Sequence, residues 1–214
     1  SAMVAQAYQI LSRCSLVRGQ MDEASFFLSE AHLRFRRAGA RWGVATALNS
    51  MGEIARERGE LRDAEAHYRD AADRYAAIGS GDAVYPNINL GLLLVEQERW
   101  DDALDILRPL GETVARQKRG PMQAAVSVAL LPCLAQVGDF EAFDQEAARA
   151  AELLSETGFV DADIARKATQ AGAAATAAGE ADRARVAFAI ARDQWTGLGK
   201  GDEVDAVDSR LLAL

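Results

Sequence analysis

The feature that most constrains this chain is a self-similarity that returns about every forty residues. Five segments share one pattern: GQMDEASFFLSEA from Gly19, GELRDAEAHYRDA from Gly59, ERWDDALDILRPL from Glu98, GDFEAFDQEAARA from Gly138 and GEADRARVAFAIA from Gly179. Their starts lie 40, 39, 40 and 41 residues apart. Such a period implies copies of one supersecondary unit, each burying its apolar face on the next. Each segment opens on a turn residue, passes through acidic residues, and then spaces small and apolar residues by four and three, as one face of a helix does. Asp22, Asp63, Asp101 and Asp182 suit the start of that helix through capping and the helix dipole. Twenty residues after each opening stand Gly39, Gly79, Lys118, Gly158 and Gly199, and glycine favours the left-handed residue that ends a helix.

Between each closing residue and the next opening lies a second apolar periodic stretch, for example Ala45, Leu48, Met51, Gly52 and Ala55, so each repeat is two helices. Gly52, Gly91 and Gly172 fall at equivalent places inside the first helix, where glycine costs about 1 kcal/mol relative to alanine. A cost repeated in register implies a packing reason: another helix passes too close for a side chain. Ala24, Ala64, Ala103 and Ala184, then Ala31, Ala71, Ala150 and Ala191, mark the matching small face of the second helix.

The residues Leu48, Met51, Gly52, Ala55, Ala64, Tyr68 and Ala71 resemble the signature of the tetratricopeptide repeat (TPR). The third repeat keeps Leu90, Gly91, Leu94, Ala103 and Leu107, and the fifth keeps Ala171, Gly172, Ala175, Ala184, Phe188 and Ala191. The first has Ser12 at the glycine place, and the fourth has Leu131 there and Phe143 at the alanine place. A period near 40 exceeds the usual 34 or so, which longer helices and connections accommodate. The pattern is similar to long-repeat TPR arrays attached to large bacterial signalling proteins such as serine/threonine kinases and nucleotide-dependent regulators. The resemblance implies an all-α fold: a right-handed α-solenoid of five helix-turn-helix repeats, about 4–40, 41–80, 81–120, 121–159 and 160–200. A capping helix over 202–214 completes a single domain spanning 1–214, with Val204, Val207, Leu211 and Leu212 covering the last repeat. Ser1 and Ala2 before Met3 read as a protease-cleavage scar. Pro109 and Pro132 fall inside helices and predict kinks, with a change of curvature between residues 105 and 145.

Composition narrows the functional classes. The net charge is -8, which argues against a nucleic-acid binder, although residues 1–41 carry six Arg against Asp22, Glu23 and Glu30. No run of about 18 uninterrupted apolar residues and no signal-peptide pattern is present, so a cytoplasmic setting without membrane contact is expected. Cys14 and Cys133 share one repeat position and read as small core hydrophobes, while His32 and His67 lack partners at metal spacing. The Gly197–Gly201 run has the wrong spacing for a phosphate loop. No catalytic residue, metal ligand or cofactor site is therefore assigned, and the expected function is non-enzymatic.

The resemblance places function on the concave face lined by first helices. It implies a candidate groove of Asn49, Glu53, Tyr85, Ile88, Asn89, Leu92 and Val128, with Tyr85, Ile88, Leu92, Val95 and Val128 as an apolar strip. Only Asn89 fits the family's clamp on a peptide C-terminus. The implied occupant is a protein or peptide segment, and the chain is a scaffold or regulatory arm. Two other classes stay open: a ligand or peptide sensor that relays binding to an attached kinase, ATPase or DNA-binding domain, and an enzyme fragment, for which no sequence feature speaks; the groove itself can also be covered by the parent protein or by a second copy of the chain in a homodimer.

Overall fold

A computed structural model describes residues 1–214 and contains helices without any strand. They are α1 (Ala2–Val17), α2 (Met21–Arg37), α3 (Arg41–Glu57), α4 (Leu61–Ala77), α5 (Val84–Glu96), α6 (Trp100–Arg116), α7 (Gly120–Val137), α8 (Phe140–Thr157), α9 (Ala162–Ala177), α10 (Ala181–Gly197) and α11 (Gly201–Leu212). A short 3-10 turn, Gly81–Ala83, precedes α5. The architecture is all-α and TPR-like, with helices packed on their sequence neighbours.

The joints explain why the helices stop where they do. Gly19, Gly39, Gly59, Gly79, Gly138, Gly158, Gly179 and Gly199 all have positive φ, between 60° and 81°. The two non-glycine residues at the same register, Glu98 and Lys118, adopt the same region at 56° and 53°. In most joints the next N–H then donates to a carbonyl five residues back, as Gln20 to Ser15 at 2.9 Å and Lys200 to Trp195 at 3.0 Å. The joint at Gly158 departs from this. Its own N–H reaches Leu154, and the chain runs on through Phe159 and Val160 before Asp161 caps α9.

The expected acidic residues sit in first turns, where they favour the dipole, but they are not the caps. Side-chain caps come instead from Asp139, accepting from Ala142, and Asp161, accepting from Asp163 and Ile164. Helices α6 and α7 run unbroken through Pro109 and Pro132.

The chain divides into two compact units, Ser1–Leu93 and Leu94–Leu214. In the first, α1 packs on α2, α2 on α3 and α3 on α4, around Leu28, Phe35, Leu48, Ile54 and intervening alanines. The interior glycine has the packing reason its register implies: a Cβ on Gly52 would stand 2.5 Å from the Tyr68 ring. Gly43, not singled out by its position in the repeat, meets Phe35 at 2.4 Å in the same way. Ser12, at the glycine place of α1, is buried and donates to the Ala24 carbonyl at 2.8 Å.

In the second unit a Cβ on Gly172 would meet Phe188 at 2.6 Å, repeating the device. The fourth repeat inverts it: Leu131 replaces the glycine and Ala147 the aromatic residue, both buried, so large and small change places in register. Helix α7 touches α6, α8 and α9. Over 18 residues it has mean hydropathy 1.3 and is 61% buried, the character of an interior helix. Helix α9 packs along α7, and Gln194 of α10 pins the long connection by donating to the Phe159 carbonyl and accepting from the Asp161 N–H. Helix α11 covers α10 as expected through Val207, flanked by half-buried Val204 and Leu211, but Leu212 points to solvent.

Candidate functional site

Four residues of α3, Trp42, Thr46, Asn49 and Glu53, follow one another at spacings of four, three and four and so share a helical stripe. The Trp42 indole donates to Asp82 Oδ2 at 2.9 Å, and its ring stands edge-on to Tyr75, 6.4 Å between centroids. Thr46 Oγ1 lies 2.7 Å from the Tyr75 hydroxyl. Burial pushes the Tyr75 phenol above its ordinary range, with the Thr46 bond opposing the shift. One turn on, Asn49 donates to Glu53 at 2.9 Å. Asn89 of α5 donates to Asn49 at 3.1 Å and to Glu53 at 3.3 Å. The surrounding protein raises the Glu53 carboxyl above its usual range, against the two amide bonds and the charges of Arg56 and Arg13. Tyr85, one turn before Asn89, is 45% exposed.

The predicted residues thus divide. Asn49, Glu53 and Asn89 are brought together by hydrogen bonds, with Tyr85 nearby on the same helix. Of the apolar strip, Ile88, Leu92, Val95 and Val128 are buried and belong to the core, while Tyr85 stays exposed. The physical reason is visible in the sequence of these helices: α5 and α7 are apolar on nearly every side, and for α7 three neighbouring helices use those sides. Trp42, Thr46 and Asp82 escaped the sequence reading. The signal that could have found them is Trp42 and Asp82 standing one repeat period apart.

Other singled-out residues take structural places. Cys133 is buried, and burial pushes its thiol up to about 12. Cys14 is exposed, contrary to the core position its register gives, because no helix packs on that side of α1 within residues 1–214. His32 is half-buried and held below its ordinary value by burial and by the charges of Arg36 and Arg74. Lys167, buried in α9, stands 3.4 Å from Glu96.

Comparison with solved structures gives the class of fold. A Rap protein complexed with competence and sporulation factor superposes with a TM-score of 0.72 at 14% identity, over 94% of this chain and 56% of that one. The TPR-like repeats of a Podosopora anserina kinesin light chain give 0.67 at 13% identity, over 92% and 97% of the two chains. The type IV pilus biogenesis factor PilW gives 0.65 at 14% identity, over 98% and 93%. This is a TPR-like helical-repeat fold, and the chain spans little more than half the length of the Rap protein. No family model and no curated protein matches the sequence.

Proposed function

We propose that the chain is a non-catalytic protein-interaction module whose first-helix face, from Trp42 to Asn89, holds a segment of a partner protein. The observation that carries this reading is the Asn49–Glu53–Asn89 ladder beside exposed Trp42 and Tyr85. An asparagine amide offers one donor and one acceptor side, which matches a peptide backbone, and aromatic rings supply contact area at low entropic cost. Similarity to TPR-like proteins supports binding of a protein segment rather than chemistry on a small substrate. The reading extends to five right-handed repeats forming one domain in a bacterial, cytoplasmic signalling protein.

A sensor role, in which a bound peptide is relayed to an attached domain, draws support from the complex of the Rap protein with competence and sporulation factor. Both readings share the site and one experiment. Partners captured on the wild-type chain are identified, and their affinity is then measured for an Asn89→Ala, Tyr85→Ala variant with an unchanged circular dichroism spectrum. A partner of this face binds at least about tenfold more weakly, the loss of roughly 1.4 kcal/mol. Equal affinity for wild type and variant would remove the face as the contact.

A further inference from the structure

The ends of successive second helices leave a hollow that recurs along the array. Where the ends of α2 and α4 meet the start of α3, a cavity of about 330 Å³ is lined by Arg36, Gly39, Arg41, Val44, Arg74 and Ala77. At the ends of α8 and α10 a cavity of about 290 Å³ takes in Ser155, Gly158 and Gln194, which stand at the repeat places of Arg36, Gly39 and Arg74. The hollow is thus a product of the repeat, but its lining is not. Along the array the pair Arg36 and Arg74 becomes Ala76 and Thr113, then Ala115 and Leu153, then Ser155 and Gln194. Arginine pairs at the first hollow alone, and the last one carries Asp193 instead.

Three helices bring these cations together. Arg36 and Arg74 occupy the last turns of α2 and α4, where a cation suits the helix dipole. Arg41 opens α3, where a cation opposes the dipole, and it reaches across to donate to the Ala77 carbonyl at 3.2 Å. Arg41 and Val44 lie on the side of α3 turned away from Trp42, Thr46, Asn49 and Glu53, so the hollow is separate from the partner face. Its charge is poorly neutralised. Arg36 has no acidic partner, Arg41 bonds a neutral carbonyl, and Arg74 gives its Nε to Asp70 at 2.7 Å and keeps both terminal nitrogens. His32, one turn before Arg36, feels the same field: burial lowers its pKa, and the charges of Arg36, Arg74 and His67 lower it further against Asp70.

We propose that this hollow binds the phosphate group of a phosphomonoester, held by Arg36, Arg41 and Arg74. Three guanidiniums around one space repel one another, and an anion seated among them turns that repulsion into attraction. A carboxylate offers two oxygens in one plane and a single charge, which one arginine fork satisfies. A phosphomonoester offers three terminal oxygens and close to two charges at neutral pH, which matches three forks arriving from three helices. The buried side chain of Val44 and the methyl of Ala77 give the carbon side of the ester an apolar wall. The size of the hollow, at the low end of small-molecule sites, holds the phosphate and the first atoms of what carries it. A free small phosphomonoester and a phosphorylated side chain share this chemistry.

Titration of the full chain with glycerol 3-phosphate and with N-acetyl-phosphoserine amide, followed by NMR, tests this. Wild type saturates at one site, and Arg36→Gln, an exposed position, binds at least about tenfold more weakly with an unchanged circular dichroism spectrum. Arg37→Gln, an exposed neighbour outside the lining, binds as wild type does. On saturation the His32 ring titrates at higher pH, because an anion beside it favours the charged form. Tighter binding of the phosphoserine probe assigns a phosphorylated protein segment, and tighter binding of glycerol 3-phosphate assigns a free ligand. No saturable binding, equal affinity for Arg36→Gln, an equal loss in Arg37→Gln, or a His32 titration that the ligand leaves in place would each overturn the proposal.

Discussion

Lys118 and Glu98 hold a backbone conformation that the other joints give to glycine. A side chain in the left-handed region costs about 1–2 kcal/mol, while glycine there costs roughly 0.5–1 kcal/mol more unfolded-chain entropy. The strain wins by a small margin. Lys118→Gly is expected to raise stability by up to about 1 kcal/mol in urea unfolding, and a lowered midpoint would contradict it. The positions of the joints were legible because glycine is nearly the only residue that tolerates them, and the two substitutes could be located by counting. The close approach at Gly52 was legible for the same reason: a residue that weakens a helix must be excused by its neighbours. Cys14 was not. Its register describes a residue with a covered neighbour, and register alone does not say whether that neighbour exists.

At the level of elements the irregularity sits between α8 and α9. The connection is longer there, the usual closing bond is absent, and α9 packs along α7. Gln194 replaces the missing bond by holding both Phe159 and Asp161. Gln194→Ala leaves the part-buried Phe159 carbonyl and Asp161 N–H without these partners and is expected to cost about 1 kcal/mol, read as a lower urea midpoint. A cost below a few tenths would show that water serves the loop as well. The inverted Leu131 and Ala147 pair belongs to the same repeat, and its departure from the pattern was visible in sequence. What the sequence hid was the burial of Ile88, Leu92 and Val128. Groove positions assigned by register assume one free face on each first helix, and α7 has spent its faces on three neighbours.

For the molecule as a whole, stability in a repeat array is a sum over neighbouring pairs, so the ends are held least. Helix α11 packs on α10 and buries only Val207 fully. Its amides are expected to exchange with solvent well before those of α9 and α10, by hydrogen-exchange mass spectrometry; equal protection would mean the last helix unfolds only with the rest. Fold class was legible at this scale because one pattern is written five times. The partner was not, because recognition depends on which surfaces the packing leaves over. The uniform joints carry one more consequence. Adjacent repeats meet through a residue of the same dihedral sign and, at most joints, the same closing hydrogen bond, so a cut made at any such joint finds a matching end elsewhere in the chain. Such a sequence can gain, lose or exchange units of about forty residues by recombination without inventing a new connection, and its length is open to evolution in whole steps.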